Sequence, residues 1–291
     1  MSFNPPQSGL TMAQPAAPQA ATRIGIFDSG IGGLSVLRAV RQRLPQAQCH
    51  YLADSQFTPW GDRAPAWVVA RCHQLSQHLM AEGADLVLVA CNTATTQAIT
   101  ALRARWPQHR FVGIEPGIKP AAQASRNHRV AVMATSGTLR SARMRQLVAD
   151  HAQRTWVLHL PCPGLVQAIE AAWHDPDALH VQLDTLAQQL RHAEVDTVVL
   201  GCTHYPLVAD SLRQRLGPRV MLIDTADAVA RRVASLLAAP STAAPGDCPP
   251  PRLMATGQPQ ALQEAARHWL GLTTEVQVVA LAELNPLTAG R

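Results

Sequence analysis

An α/β protein made of two related parallel-sheet lobes with an active site between them is what the sequence predicts, and three observations predict it. Short apolar runs alternate with longer segments that carry apolar residues at helical spacing, the pattern of a parallel sheet covered by helices. One unit occurs twice. Leu86-Val87-Leu88-Val89-Ala90-Cys91-Asn92-Thr93 and Thr197-Val198-Val199-Leu200-Gly201-Cys202-Thr203-His204 each run from apolar residues through a small residue to a cysteine, then to hydrogen-bonding residues. Each reads as a buried strand that delivers a cysteine to its C-terminal end just before a helix, where open α/β sheets bind ligands. Finally, 291 residues with 47% hydrophobic and 15% charged side chains give a sizeable core, enough for two domains or one large one.

In chain order, residues 1–22 are rich in Pro, Gln, Ala and Ser without periodicity and read as a disordered tail. Ile24-Gly25-Ile26-Phe27 is the first strand. It runs into Asp28-Ser29-Gly30-Ile31-Gly32-Gly33 and a helix bearing Leu34, Leu37, Val40 and Leu44. His50–Asp54 is a strand, Phe57–Asp62 a loop with turn chemistry, 65–82 a helix, Ala84–Ala90 the first cysteine strand and Thr95–Trp106 a helix. Phe111–Pro116, Arg129–Thr135, Trp156–Leu160, Asp196–Gly201, Val220–Asp224, Arg252–Gly257 and Val276–Leu281 are further strands. Helices are expected after Thr138, over Leu165–Ala172, and over 178–192, 226–238 and 259–270. A Pro/Ala-rich loop covers 239–251.

Composition excludes several function classes. No apolar run reaches membrane-spanning length, and no basic region followed by an apolar core marks a secretory signal, so the cytoplasm is the expected compartment. The six cysteines form no CxxC pair and are irregularly spaced, which argues against disulfides and structural zinc. The net charge of +5 comes from arginines scattered among acids and glutamines, a mildly basic surface and not a nucleic-acid stripe. Lys119 is the single lysine, so only one residue could form a pyridoxal Schiff base, and amino-acid chemistry here is expected to need no cofactor.

Cys91 and Cys202 carry the chemistry. A cysteine at a helix N-terminus is expected to have a lowered pKa, so one thiol could take a proton and the other give one. Two buried strand-end cysteines are the plainer reading of either alone; the repeated polar context favours function. Asp28–Gly33 is neither GxGxxG nor a Walker A loop, and its acidic lip disfavours phosphate. A carboxylate site, or a glycine turn capped by Asp28, fits it better. His204, two residues past Cys202, could orient or activate that thiol. Glu170 and Glu115 are candidate charge partners, although helix-surface and strand-end positions explain both. Thr93, Thr135, Thr138 and Thr203 follow strands and suit a polar, zwitterionic ligand. A metal on Cys91, Cys202 and His204 would lack a fourth local ligand, so no metal is expected.

FDSGIGGLSVLR (27–38), PWGDR (59–63), ACNTAT (90–95), IEPG (114–117), ATSGTLRS (134–141), CPGLVQAIE (162–170) and GCTHYPL (201–207) together resemble, in order, the motifs of the cofactor-independent glutamate racemases of the aspartate/glutamate racemase superfamily. The resemblance implies two pseudo-symmetric α/β lobes: 23–115 plus 225–291 form the first, and 116–224 is inserted as the second. It implies that Cys91 and Cys202 are the acid/base residues on opposite faces of the substrate α-carbon, with Cys91 facing D-glutamate and Cys202 L-glutamate. Asp28 would assist Cys91; His204 and Glu170 would assist Cys202. Asp28, Ser29, Trp60, Gly61, Asn92, Thr93, Thr135, Thr138, Thr203 and His204 would line the substrate. The product, D-glutamate, would feed peptidoglycan synthesis.

Trp60 departs from the family's usual Tyr; a contact through backbone, as Gly61 beside it suggests, would preserve binding. Residues 1–22 show no motif for activation by a cell-wall precursor. The alternatives are a racemase of aspartate or another amino acid, and a non-catalytic binder of acidic amino acids. A homodimer is left open; nucleic-acid and membrane partners are not expected.

Overall fold

The computed structural model describes residues 22–237 and 249–282. The disordered-tail expectation over residues 1–21 and most of the 239–251 loop lie outside the described residues, as does the C-terminus from 283.

Two all-parallel sheets organise the chain. The first contains β1 (Arg23–Asp28), β2 (Gln48–Ala53), β3 (Leu86–Val89), β4 (Arg110–Gly113), β9 (Arg252–Ala255) and β10 (Val276–Val278), in the order β10-β9-β2-β1-β3-β4. The second contains β5 (Arg129–Ala134), β6 (Trp156–Pro161), β7 (Thr197–Leu200) and β8 (Met221–Ile223), in the order β6-β5-β7-β8. The central strands are mostly apolar because helices cover both faces; β3 and β7 are buried at every residue.

The two sheets share one strand order. Running β2-β1-β3-β4 in one matches β6-β5-β7-β8 in the other. In each, the chain leaves a central strand to one side and returns to its other side. A topological switch point therefore opens between β1 and β3, and another between β5 and β7. Register matches as well: Phe27 pairs with Val89 two residues before Cys91, and Met133 pairs with Leu200 two residues before Cys202. The repeated strand–cysteine unit thus occupies equivalent places in two sheets.

The helices follow from local chemistry. In α1 (Leu34–Arg43), Leu34, Leu37 and Val40 are buried at helical spacing, and Arg41 and Arg43 sit in the last turn where the dipole favours cations. α2 (Pro65–Ala81) and α8 (Pro176–His192) begin with proline, whose missing N–H costs nothing in the first turn. The Asp175 side chain caps α8 by accepting from the Ala178 N–H. α3 (Asn92–Arg105) starts directly after Cys91, three residues before the expected Thr95, so Asn92 and Thr93 stand in its first turn.

Other elements depart from expectation. α4 (Ile118–Ala124) is a helix to which the sequence reading assigned no element; Pro120 lies within its first turn, where no intrahelical donor is needed. After β5 the chain makes α5 (Ser136–Arg140) and α6 (Ala142–His151), broken at Ser141, whose side chain caps the second piece. Next come α7 (Leu165–Glu170), a 3₁₀ turn over Tyr205–Val208, α9 (Ala209–Leu216), α10 (Ala226–Leu236) and α11 (Pro259–Leu270). Cys202 is therefore followed by a 3₁₀ turn, not directly by an α-helix. No helix among the described residues is long and apolar enough to cross a membrane.

His50, on β2, is a test of the first core. Its burial, and then the charges of Arg23 and Arg252, hold its imidazole below the ordinary histidine value of 6.5. A depressed histidine contributes stability that is present above its unfolded pKa and lost as pH falls from there towards the folded one. Urea midpoints of the wild type should therefore fall more steeply than those of His50→Gln as pH drops from about 7 through the ordinary histidine value of about 6.5 and below it. Parallel curves would show that His50 carries no such linkage.

Candidate active site

The two switch points face one another across a narrow cavity. Ser29, Pro59, Trp60, Gly61, Cys91, Asn92 and Thr93 line it from the first sheet's side. Thr135, Val166, Cys202, Thr203 and His204 line it from the second. Asp28 lies behind Ser29, Glu170 behind His204, and Thr138 behind Thr93 and Thr135. The thirteen residues that the family resemblance assigned to the site gather here. Pro59 and Val166 were not singled out; only their positions in the PWGDR and CPGLVQAIE stretches hinted at them.

Each thiol has its own chain of partners. Cys91 Sγ donates to Ser29 Oγ at 3.7 Å, and Ser29 Oγ donates to Asp28 Oδ1 at 3.4 Å. Asp28 also accepts from the Gly33 N–H at 2.7 Å, which ties it to the start of α1. On the other side, Cys202 Sγ lies 3.8 Å from His204 Nδ1, and His204 Nε2 lies 2.8 Å from Glu170 Oε1. Glu115 takes no part: it forms a two-pronged ion pair with Arg143, at 2.7 and 2.9 Å, on an exposed face.

The electrostatics reverse one expectation. Cys91 does stand at a helix N-terminus, and the Ala94 amide pulls its pKa down. Burial, and next the nearby Asp28 carboxylate, outweigh that amide and push the thiol well above the ordinary cysteine range. Cys91 is therefore held as a neutral thiol. Burial also raises Asp28, against the pull of His204 and the Gly33 amide. For His204, burial alone would lower the imidazole. The hydrogen bonds to Cys202 and Glu170 outweigh it and hold His204 well above the ordinary histidine range. A cationic imidazole beside Cys202 stabilises the negative charge that sulfur bears whenever it acts as a base.

The lobes touch through polar side chains at the site. Thr93 Oγ1 lies 2.9 Å from Thr135 Oγ1 and 3.3 Å from Thr138 Oγ1. Thr203 Oγ1 donates to Asp28 Oδ2 at 3.4 Å, and Ser35 Oγ to the Thr203 carbonyl at 3.0 Å. The Asn92 amide is buried with neither end hydrogen-bonded within the protein, leaving a donor and an acceptor for a polar ligand. Trp60 is buried, with its ring edge-on to Trp67 at 5.7 Å. Among the described residues, no group of three or more His, Cys, Asp or Glu side chains is arranged to hold a metal. Such a site can remove a proton from one face of a small polar molecule and return one to the other.

Residues 34–233 match the family model described as Asp/Glu/hydantoin racemase. The chain belongs to this family. Among curated relatives, it is 41% identical to the glutamate racemase of Pseudomonas aeruginosa (strain UCBPP-PA14) over 240 residues, 82% of this chain and 91% of that protein. It is 42% identical to the glutamate racemase of Stutzerimonas stutzeri over 251 residues, 86% and 93% of the two chains. The fold is similar to that of Escherichia coli glutamate racemase, solved in complex with L-glutamate and the activator UDP-MurNAc-Ala. That likeness has a TM-score of 0.78 and 32% identity, covering 90% of this chain and all of that one. Family membership fits a cavity walled by two thiols from two matched sheets.

Proposed function

We propose that the protein is a glutamate racemase that interconverts L- and D-glutamate by two-thiol proton transfer and supplies D-glutamate for peptidoglycan synthesis. The observation that carries this is the placement of Cys91 and Cys202: equivalent registers in two sheets, one cavity, and a different proton partner for each. Cys202 takes the α-proton from L-glutamate while Cys91 returns one from the opposite face; the reverse reaction exchanges the roles. Fixed groups on both faces avoid the need for one base to change sides.

The remaining residues follow from what the intermediate demands. An α-carbanion next to a carboxylate is costly without an electron sink, so positioning and hydrogen-bond donors must carry the stabilisation. Asn92, Thr93, Thr135, Thr203 and the Trp60–Gly61 backbone hold the substrate's charged groups, Asp28 and Ser29 serve Cys91, and His204 with Glu170 serves Cys202. Lys119, the only lysine, is exposed on α4, which supports cofactor-independent chemistry. The lobes would comprise 23–115 with 225–291, and 116–224. A cytoplasmic location suits the five described cysteines, all free.

The test is turnover of L- and D-glutamate in deuterated water without added cofactor. Deuterium should enter the α position of the product enantiomer, and optical rotation should decay to zero from either side. Glutamate that binds without exchange would leave a binding protein; faster turnover of aspartate would move the substrate assignment.

A further inference from the structure

The loop joining β2 to α2, residues 54–64, brings Pro59, Trp60 and Gly61 to the cavity yet contains no helix or strand. Its shape is held from beneath. Asp54, at its start, and Arg71, on α2, are both fully buried. Arg71 Nε donates to Asp54 Oδ2 at 3.0 Å and Nη2 to Oδ1 at 2.7 Å, a two-pronged pair. Thr256, just after β9, adds a third donor to Asp54 at 2.8 Å. The Arg71 guanidinium also lies 4.6 Å from the Phe57 ring centre, and its Nη1 donates to Gln74 and to the Ala282 carbonyl. Trp67 precedes Arg71 by one helical turn, hence on the same face of α2. It meets Phe57 at 5.6 Å and Trp60 at 5.7 Å. Both aromatic residues of the loop are thus seated on two residues of one helix face.

At its far end the loop reaches the other lobe. The Gly61 carbonyl accepts from the Gly137 N–H at 2.9 Å, and a side chain at 61 would meet Thr135 Cβ at 2.9 Å. Where the loop sits therefore decides both how Gly61 presents its backbone to the cavity and how closely the lobes meet there.

We propose that Asp54 and Arg71 are positioning residues that set the substrate affinity of the site through the Trp60–Gly61 loop. This rests on the racemase reading. Neither side chain is among those lining the cavity. A buried ion pair adds little net stability over apolar residues of the same volume. What it supplies is geometry: two parallel hydrogen bonds fix distance and angle, which a lysine cannot reproduce.

Steady-state racemisation by Arg71→Lys tests this. KM should rise about tenfold for both enantiomers, equivalent to about 1.4 kcal/mol, with kcat within about twofold. Because the enantiomers have equal free energy, kcat/KM must fall by the same factor in both directions, which checks the data internally. A merely structural role gives the opposite split: less folded protein, lower kcat per mole and unchanged KM. If Arg71→Lys does not fold, the double variant Asp54→Leu/Arg71→Met restores packing without the two-pronged geometry and should show the same raised KM. Wild-type KM in the folded variant overturns the proposal, as does a raised KM in Arg71→Lys that the double variant returns to normal. Wild-type protein that does not racemise glutamate would defeat the proposed function instead, a result separate from either.

Discussion

Replacing either Cys91 or Cys202 with alanine should reduce racemisation by about 10²–10⁴-fold or more, the range of a lost general acid or base. Inversion requires removal of a proton on one face and delivery on the other, so neither thiol can do the whole task. The sharper expectation concerns what survives. Cys91→Ala keeps Cys202 with His204 and Glu170, and residual exchange of the α-proton in deuterated water should be confined to L-glutamate. Cys202→Ala keeps Cys91 with Ser29 and Asp28, and residual exchange should be confined to D-glutamate. Exchange of both enantiomers by one variant, or racemisation within tenfold of wild type, would sink the two-thiol assignment. Circular dichroism of the product and proton NMR of the α position read the two quantities separately.

Gly32→Ala should lower kcat/KM by about 100-fold, the scale expected when a reacting group is misplaced by an ångström. A Cβ at position 32 would lie 2.3 Å from His204 Nδ1 and 2.7 Å from the His204 backbone nitrogen. A rotating side chain cannot relieve a contact with backbone, so the 201–204 segment itself must move. That movement breaks the alignment of His204 between Cys202 and Glu170, which stand 3.8 and 2.8 Å away. The imidazole resonances of His204 should shift and broaden while far-ultraviolet circular dichroism stays near wild type. Full activity in folded Gly32→Ala would show that His204 does not need this position to serve Cys202.

The strands were legible because buried parallel strands are written as unbroken apolar runs. Leu86–Val89 and Thr197–Leu200 could be located, each with its cysteine beyond the C-terminal end, to within two residues. Strand order was not legible: nothing in β1 says that β2 and β3 take opposite sides of it, because pairing is settled by packing across the whole sheet. The helix Ile118–Ala124 was not read at all: it is seven residues long, and its Pro120 falls in a first turn that tolerates it. For Cys91 the helix terminus was visible in sequence. The burial and the Asp28 charge that outweigh it exist only once the chain is folded. Residue pattern alone did not separate Glu115 from Glu170, and only the family resemblance favoured Glu170; the structure gives Glu115 to Arg143 and Glu170 to His204. Asp54 and Arg71 drew no notice, since nothing local marks two residues 17 positions apart as partners.

The equivalent placement of the two thiols in separate sheets has a consequence for timing. No rigid element carries both sulfurs, so the gap between them is fixed only while the lobes are docked, through contacts such as Thr93 to Thr135 and Thr203 to Asp28. Under the proposed two-thiol reaction, a motion that undocks the lobes would pull the two sulfurs away from each other. In that reaction, proton transfer on both faces would require the docked arrangement, and an undocked one would leave the substrate with a thiol on one face only.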